Sequence, residues 1–175
     1  QHDQLADEVD LEVEKSESRD RVMRLSDLYH KTHGQNLMPA SEESVQVRLQ
    51  GDLGIQVPVV GFADLITEDG MIVDTKVRSQ DRKVDLNRDL QLVTYAHITK
   101  IMKVAIAQVV DTKVPKSELL TQTIDQHAID ATSQKIRTVS GAIRKRVFLP
   151  APEGSWYCSE KWCFYWKICP YGEKA

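Results

Sequence analysis

The stretch that most limits how this chain can fold runs from Val60 to Lys76. It comprises an apolar run, Val60-Gly61-Phe62-Ala63-Asp64-Leu65-Ile66, then Thr67-Glu68-Asp69-Gly70, then Met71-Ile72-Val73-Asp74-Thr75-Lys76. Two strand-type segments around an Asp-Gly turn signal predict an antiparallel hairpin. Side chains two apart on a strand share a face, so Asp74 and Lys76 project together with Ile72 below them. Pairing across the turn sets Asp64 opposite the Val73-Asp74 step, close to Asp74. Two carboxylates and one lysine converge at the end of a strand otherwise fit for a core.

Two close carboxylates repel unless a proton or a cation lies between them, and hard oxygen donors suit Mg2+ or Mn2+. A lysine beside such an ion can orient an attacking water, help lower its pKa, or stabilise charge developing on a phosphate. Metal-assisted phosphodiester hydrolysis uses all three. An isolated Asp-x-Lys is far more often a solvated pair, so the weight rests on what accompanies it. Downstream, Gln91 and Tyr95 are i,i+4 neighbours on one face of an expected helix. A tyrosine beside an apolar stripe is usually core, but a glutamine there needs a polar partner.

Gly61-x-x-Asp64, a short turn, Ile72-Val73-Asp74-Thr75-Lys76 and then Gln91-x-x-x-Tyr95 together resemble the RecB-like branch of the PD-(D/E)XK nucleases. The resemblance implies an α/β fold with a restriction-endonuclease-like core, a central mixed β-sheet of four to five strands flanked by helices. It also implies that Asp64, Asp74 and the backbone carbonyl of Thr75 bind Mg2+ or Mn2+, that Lys76 is catalytic, and that Gln91 and Tyr95 belong to the site. Members of this branch carry a further ligand, a His opening an N-terminal helix, and His2-Asp3-Gln4-Leu5-Ala6-Asp7-Glu8 fits the form His-x-x-Leu-x-x-Glu. Other branches place an acidic residue earlier in the core. Glu42 and Glu43 precede the alternating run Val45, Val47, Leu49, and Glu43 lies nearer the strand. A solvated strand entrance is the alternative there.

Length and charge bound the rest. One domain's worth of chain is expected to divide into a nuclease core over 1–150 and a Cys/Trp-rich tail over 151–175 packed on it. Residues 1–20 hold eight acidic and two basic side chains, a balance of −6, against +3 for the remainder. The segment carrying the motifs is therefore mildly basic, as a nucleic-acid substrate requires. No apolar run approaches the roughly 18 residues of a membrane span, and no signal-peptide pattern occurs. An intracellular protein, cytoplasmic or nucleoid-associated and without a membrane partner, is expected. Three cysteines confined to Cys158–Cys169 do not make a disulfide framework and suit a reducing compartment.

Residues 3 to about 32 read as helix, with a shift of apolar phase near Ser16–Asp20 that allows a break. The run Ile55–Ile66 contains Pro58, which predicts an edge strand or a bulge. A basic loop with Arg78, Arg82, Lys83 and Arg88 leads into a helix capped by Asp85 or Asn87, with Leu86, Leu90, Val93 and Ile101 as its buried stripe. Val104–Val110 is a buried strand and Leu119–Ile124 another candidate. A second long helix spans Ala128 to about Val147, with Ile129, Ile136, Val139 and Ile143 inward and Lys135, Arg137, Arg144, Lys145 and Arg146 on its polar side. Arg78, Arg88, Arg144, Lys145 and Arg146 are the candidate DNA contacts, a plain solvated face being the alternative.

The tail, Trp156 to Pro170, holds all three Trp and all three Cys. Several RecB-like nucleases, CRISPR-associated and helicase-linked members among them, bind a 4Fe-4S cluster with three C-terminal cysteines and a fourth upstream. Cys158, Cys163 and Cys169 match the three, and four thiolates are the usual complement. An apolar knot without metal, as in phage-type members with a similar tail, is the alternative. The function expected is Mg2+-dependent DNA cleavage. The exonuclease mode, the roles in recombination, repair or phage replication, and a helicase or recombination protein as partner come from the resemblance. A catalytically silent nucleic-acid-binding module and a metal-binding interaction protein are the rival readings.

Overall fold

The structure is a computed structural model that describes residues 2–152 and 154–172, with side chains from residue 16 onward. The chain divides into two compact units, Gln1–Ile136 and Arg137–Ala175. The first contains a five-stranded sheet in the order β1-β2-β3-β4-β5. Its strands are β1 (Val45–Gly51), β2 (Val59–Ile66), β3 (Ile72–Arg78), β4 (Lys103–Val110) and β5 (Lys116–Thr123), with helices α1 (His2–His33), α2 (Leu90–Thr99) and α3 (Gln126–Arg144). All neighbouring pairs are antiparallel except β3 and β4, which run parallel with α2 between them in sequence.

The β2–β3 hairpin forms as the sequence predicts. Thr67 and Gly70 close the turn, the Gly70 N–H donating to Thr67 O at 2.9 Å, with Gly70 at φ +73°. A positive φ is where glycine carries no Cβ penalty. β4 is buried on both faces from Val104 to Val110, as an inner strand of a covered pair requires, whereas β3 is buried only over Ile72–Asp74. On one face Ile72, Val104 and Ile106 pack with Leu92, Val93 and Tyr95 of α2 and with Ala128 and Ile129 of α3. On the other, Val73, Ala105 and Ala107 pack with Leu37 and Met71, and Tyr29 of α1 lies against them. Arg21 and Arg24 of α1 pair with Asp111 after β4, and His33 Nε2 lies 2.8 Å from Ser117 Oγ on β5.

Packing overrides several of the sequence expectations. α1 runs unbroken through Ser16–Asp20, because side chains 16–24 are all exposed and no apolar stripe has to stay in phase there. Pro58 falls outside β2, which starts at Val59 and is paired on both sides, so β2 is not an edge. Asp89 caps α2, accepting from the Leu92 N–H at 3.0 Å. Asp85 instead caps the single 3-10 turn Leu86–Arg88 before it. That later start rotates the helix, so Leu90 is exposed while Leu92 and Val93 are buried. Val139 and Ile143 are likewise exposed, because the packed part of α3 is its first two turns.

Candidate active site

The β2–β3 ladder is short. Only Leu65↔Val73 and Ile66↔Ile72 pair, and continuing that register would set Asp64 opposite Asp74. The strands part there, and the side chain of Asp64 takes over from its backbone: the Thr75 N–H donates to Asp64 Oδ2 at 2.8 Å. In an extended residue the N–H and C=O leave the strand on the same side. The Thr75 carbonyl is therefore also directed toward β2.

Asp74 is buried, and both its oxygens are engaged. Lys76 Nζ lies 2.8 Å from Oδ2, and Gln91 Nε2 donates to Oδ1 at 2.9 Å. Lys76 also donates to Gln91 Oε1 at 3.3 Å, which closes a three-residue ring. Burial pushes the Asp74 pKa above its ordinary value, Lys76 pulls against this, and the charges of Asp64 and Asp89 add to the upward push.

Tyr95 holds the gap between the strands open. Its hydroxyl donates to Phe62 O at 2.8 Å and accepts from Phe62 N at 3.2 Å and from Gln91 Nε2 at 3.2 Å. It thereby satisfies the two backbone groups that lost β3 as a partner. Gly61 is what lets the ring in, since a Cβ there would lie 2.5 Å from Tyr95 Cε1. Gly61-x-x-Asp64 and Gln91-x-x-x-Tyr95 are thus two halves of one mechanical arrangement.

Gln46 on β1 is a site residue that the sequence reading missed. Its Nε2 donates to Asp64 Oδ1 at 3.2 Å, so both Asp64 oxygens are held. It does so from a backbone at φ +55°, a conformation costing about 1 kcal/mol or more for a residue with a Cβ. Nothing in a polar residue of an alternating strand announces this. Glu43 occupies an exposed 3-10 turn, Glu42–Ser44, and among the described residues no group of three or more His, Cys, Asp or Glu is placed to hold a metal. Glu43 therefore does not complete a triad with Asp64 and Asp74. The His2 side chain lies outside the described residues.

Two carboxylates and a backbone carbonyl are hard oxygen donors. Mg2+ is commonly held by one or two carboxylates, its other positions filled by water and substrate oxygens, so Asp64, Asp74 and Thr75 fit a divalent cation of that type. A buried carboxylate whose charge is disfavoured by its surroundings is also one that a cation would relieve.

The basic candidates are dispersed. Arg88 is exposed and pairs with Asp85 at 3.4 Å. Arg78 ends β3, and the loop after it is tied down by Asp81, which pairs with Lys116 and accepts from Gln108 Nε2 at 3.4 Å. Arg144, Lys145 and Arg146 are exposed in the second unit. In that unit Cys158, Cys163 and Cys169 are free and half-buried, and line one apolar cavity of about 580 Å³. Among the described residues they form no metal-ligating group, so as placed they do not fit an iron–sulfur cluster. Nor is the tail a knot with buried indoles, since Trp156 and Trp162 are 70% and 56% exposed. A stretch built only of turns offers no face broad enough to cover them.

A model of the PD-(D/E)XK nuclease superfamily matches residues 2–170. The chain belongs to that superfamily, and the five-stranded mixed sheet with its flanking helices is the restriction-endonuclease-like α/β fold. A structure from Eubacterium rectale described as a "Putative exonuclease" shares the fold at a TM-score of 0.53 and 15% identity, over 77% of this chain and 55% of that one. A second, SSO0001, aligns at a TM-score of 0.49 and 17% identity, over 73% of this chain and 59% of that one. The chain thus spans a little over half the length of either structure. No curated protein matches it. None of the helices among the described residues is long and apolar enough to cross a membrane.

Proposed function

We propose that this nuclease is a RecB-like deoxyribonuclease that hydrolyses DNA phosphodiester bonds with Mg2+ or Mn2+, acting as an exonuclease in recombination, repair or phage replication. The observation that carries the reading is the closed ring Asp74–Lys76–Gln91, with Asp64 held beside it on Thr75. A divalent ion bound by Asp64, Asp74 and the Thr75 carbonyl would supply Lewis-acid activation of the phosphate and of a water. The protein's own groups do the positioning. Asp74 Oδ2 and Gln91 Oε1 hold the Lys76 ammonium beside the two carboxylates, where it can stabilise negative charge developing on a phosphate oxygen or hold a proton of the attacking water. Gln91 keeps both partners in register through its two amide ends, and Gln46 with the Thr75 N–H fixes the Asp64 carboxylate.

The test is incubation with end-labelled linear DNA and closed circular DNA, with Mg2+ and with chelator. Linear DNA should be degraded only with Mg2+, and circles should survive. Asp74→Ala should abolish degradation while leaving the fold intact. Near-wild-type degradation by that variant would defeat the site, and nicked circles would make the enzyme an endonuclease.

A further inference from the structure

Asp74, Lys76 and Arg78 occupy every second position of β3, and the pairing of β3 with β4 runs one to one from Ile72↔Val104 to Arg78↔Val110 without a bulge. Arg78 therefore shares the face of β3 on which Asp74 and Lys76 meet Gln91. It lies about 6.6 Å beyond Lys76 along the strand. The chain then turns, and Val77, Arg78, Ser79, Gln80, Arg82 and Val84 line an open pocket of about 510 Å³.

The charge around this pocket does not cancel. Asp81 is the sole acid between Lys76 and Val84. It is engaged by Lys116 and by Gln108, a fully buried side chain that also donates to Glu118. Asp85 pairs with Arg88, and Asp111, whose N–H bonds the Arg78 carbonyl, pairs with Arg21 and Arg24. The neighbouring acids thus have cations of their own, and Arg78, Arg82 and Lys83 make no ion pair among the described residues. Two unpaired guanidinium groups in one pocket, with a hydroxyl and an amide between them in sequence, are a donor set suited to phosphate oxygens.

We propose that Arg78 and Arg82 form a subsite for the DNA phosphate next to the scissile one; this rests on the nuclease reading of Asp64 and Asp74. With the scissile phosphate at Asp74 and Lys76, the step of about 6.6 Å to Arg78 is comparable to the spacing of successive phosphates along a DNA strand. The subsite holds phosphate and not base, so it accepts any sequence. Its work is to set the register of the strand, so that one linkage at a time lies over Asp74 and Lys76. The bonds from Asp81 to Lys116 and Gln108 keep the loop in place on the sheet and leave the two guanidinium groups for the substrate.

The test uses the full chain and single-stranded oligonucleotides that carry one neutral methylphosphonate linkage at successive positions, with cleavage at each linkage read in Mg2+. In the wild type a neutral linkage next to the scissile one, on one side only, should slow the cut by about tenfold or more, the scale of a hydrogen bond to a charged group. Arg78→Gln and Arg82→Gln keep a polar side chain without the charge. Each should slow cleavage of the all-phosphate strand and be slowed little further by the neutral linkage, because both changes remove the same contact. Arg82 is exposed on the loop, so its variant carries the test if Arg78→Gln does not fold. Binding to the unmodified strand is titrated separately in chelator at several salt concentrations, where each variant should reduce the salt slope by about 0.7 log unit. Fully additive losses from variant and neutral linkage, or wild-type salt slopes in both variants, overturn the subsite. A protein that cleaves DNA with either of those results loses this inference alone, whereas one that does not cleave DNA loses the nuclease reading and this inference with it.

Discussion

Lys76 is held at two points, Asp74 Oδ2 and Gln91 Oε1, which a solvated strand lysine would not be. Replacing it with Ala removes a positioned charge but none of the carboxylates. Cleavage should slow by about a hundredfold or more, while Mg2+ affinity, followed by calorimetry, should be retained. Equal loss of affinity and rate would make Lys76 a structural counter-ion. Asp74 makes a different demand, because its burial raises its pKa. Between the ordinary carboxylate value and the raised one, the folded state binds more protons than the unfolded chain, so stability falls as pH rises through that window and stays reduced above it. Asp74→Asn keeps the shape without the charge. In chelator it should unfold at a higher temperature than the wild type near pH 7, and the gain should vanish as the pH drops to about 4. A lower unfolding temperature for the variant at pH 7 would mean that the pair with Lys76 outweighs the burial.

At the scale of elements, the site exists because two strands stop pairing. The sequence identifies the strands, but not that their ladder ends after two pairs, since nothing in Val60–Lys76 differs from a hairpin that zips on. The end is set from outside, by Tyr95 entering over Gly61 and bonding the exposed edge of Phe62. Tyr95→Phe should leave both Phe62 backbone groups without that partner, at about 1–3 kcal/mol. Chemical denaturation measures the loss, and native-state hydrogen exchange should show the Phe62 amide exchanging faster. If the Phe62 amide stays as protected as before, β3 or water has replaced the hydroxyl. The start of α2 shows the same dependence on context. Asp85, Asn87 and Asp89 are all competent caps, and the chain uses Asp89 for the helix and Asp85 for the turn before it.

For the molecule as a whole, the balance of −3 hides an acidic N-terminal segment and a mildly basic remainder. Arg144, Lys145 and Arg146, at the end of α3 and just beyond, are exposed and have no acid between them. If they meet phosphates, replacing all three with Ala should weaken duplex binding and reduce the salt slope by up to about 0.9 log unit for each phosphate no longer neutralised. Binding titrations at several salt concentrations measure the slope. A slope equal to that of the wild type would leave the run as an ordinary solvated surface.

The periodic and the local were legible in the residues alone. The two-residue period of the strands, the Asp-Gly turn and the helical spacing of Gln91 and Tyr95 follow from backbone geometry; the hairpin alone brings Asp64, Asp74 and Lys76 together, and the family resemblance adds Gln91 to them. Which polar group answers which was settled only by the folded chain. Gln46 reaches Asp64 from a strand that the pattern reads as ordinary, through a left-handed backbone that no neighbouring residue requires. Tyr95 bonds the backbone of β2 as well as Gln91, and Glu43 stays on the surface. Hydrogen bonds between distant segments depend on distances of a few tenths of an ångström, and a pattern of residue types along the chain carries no such distances.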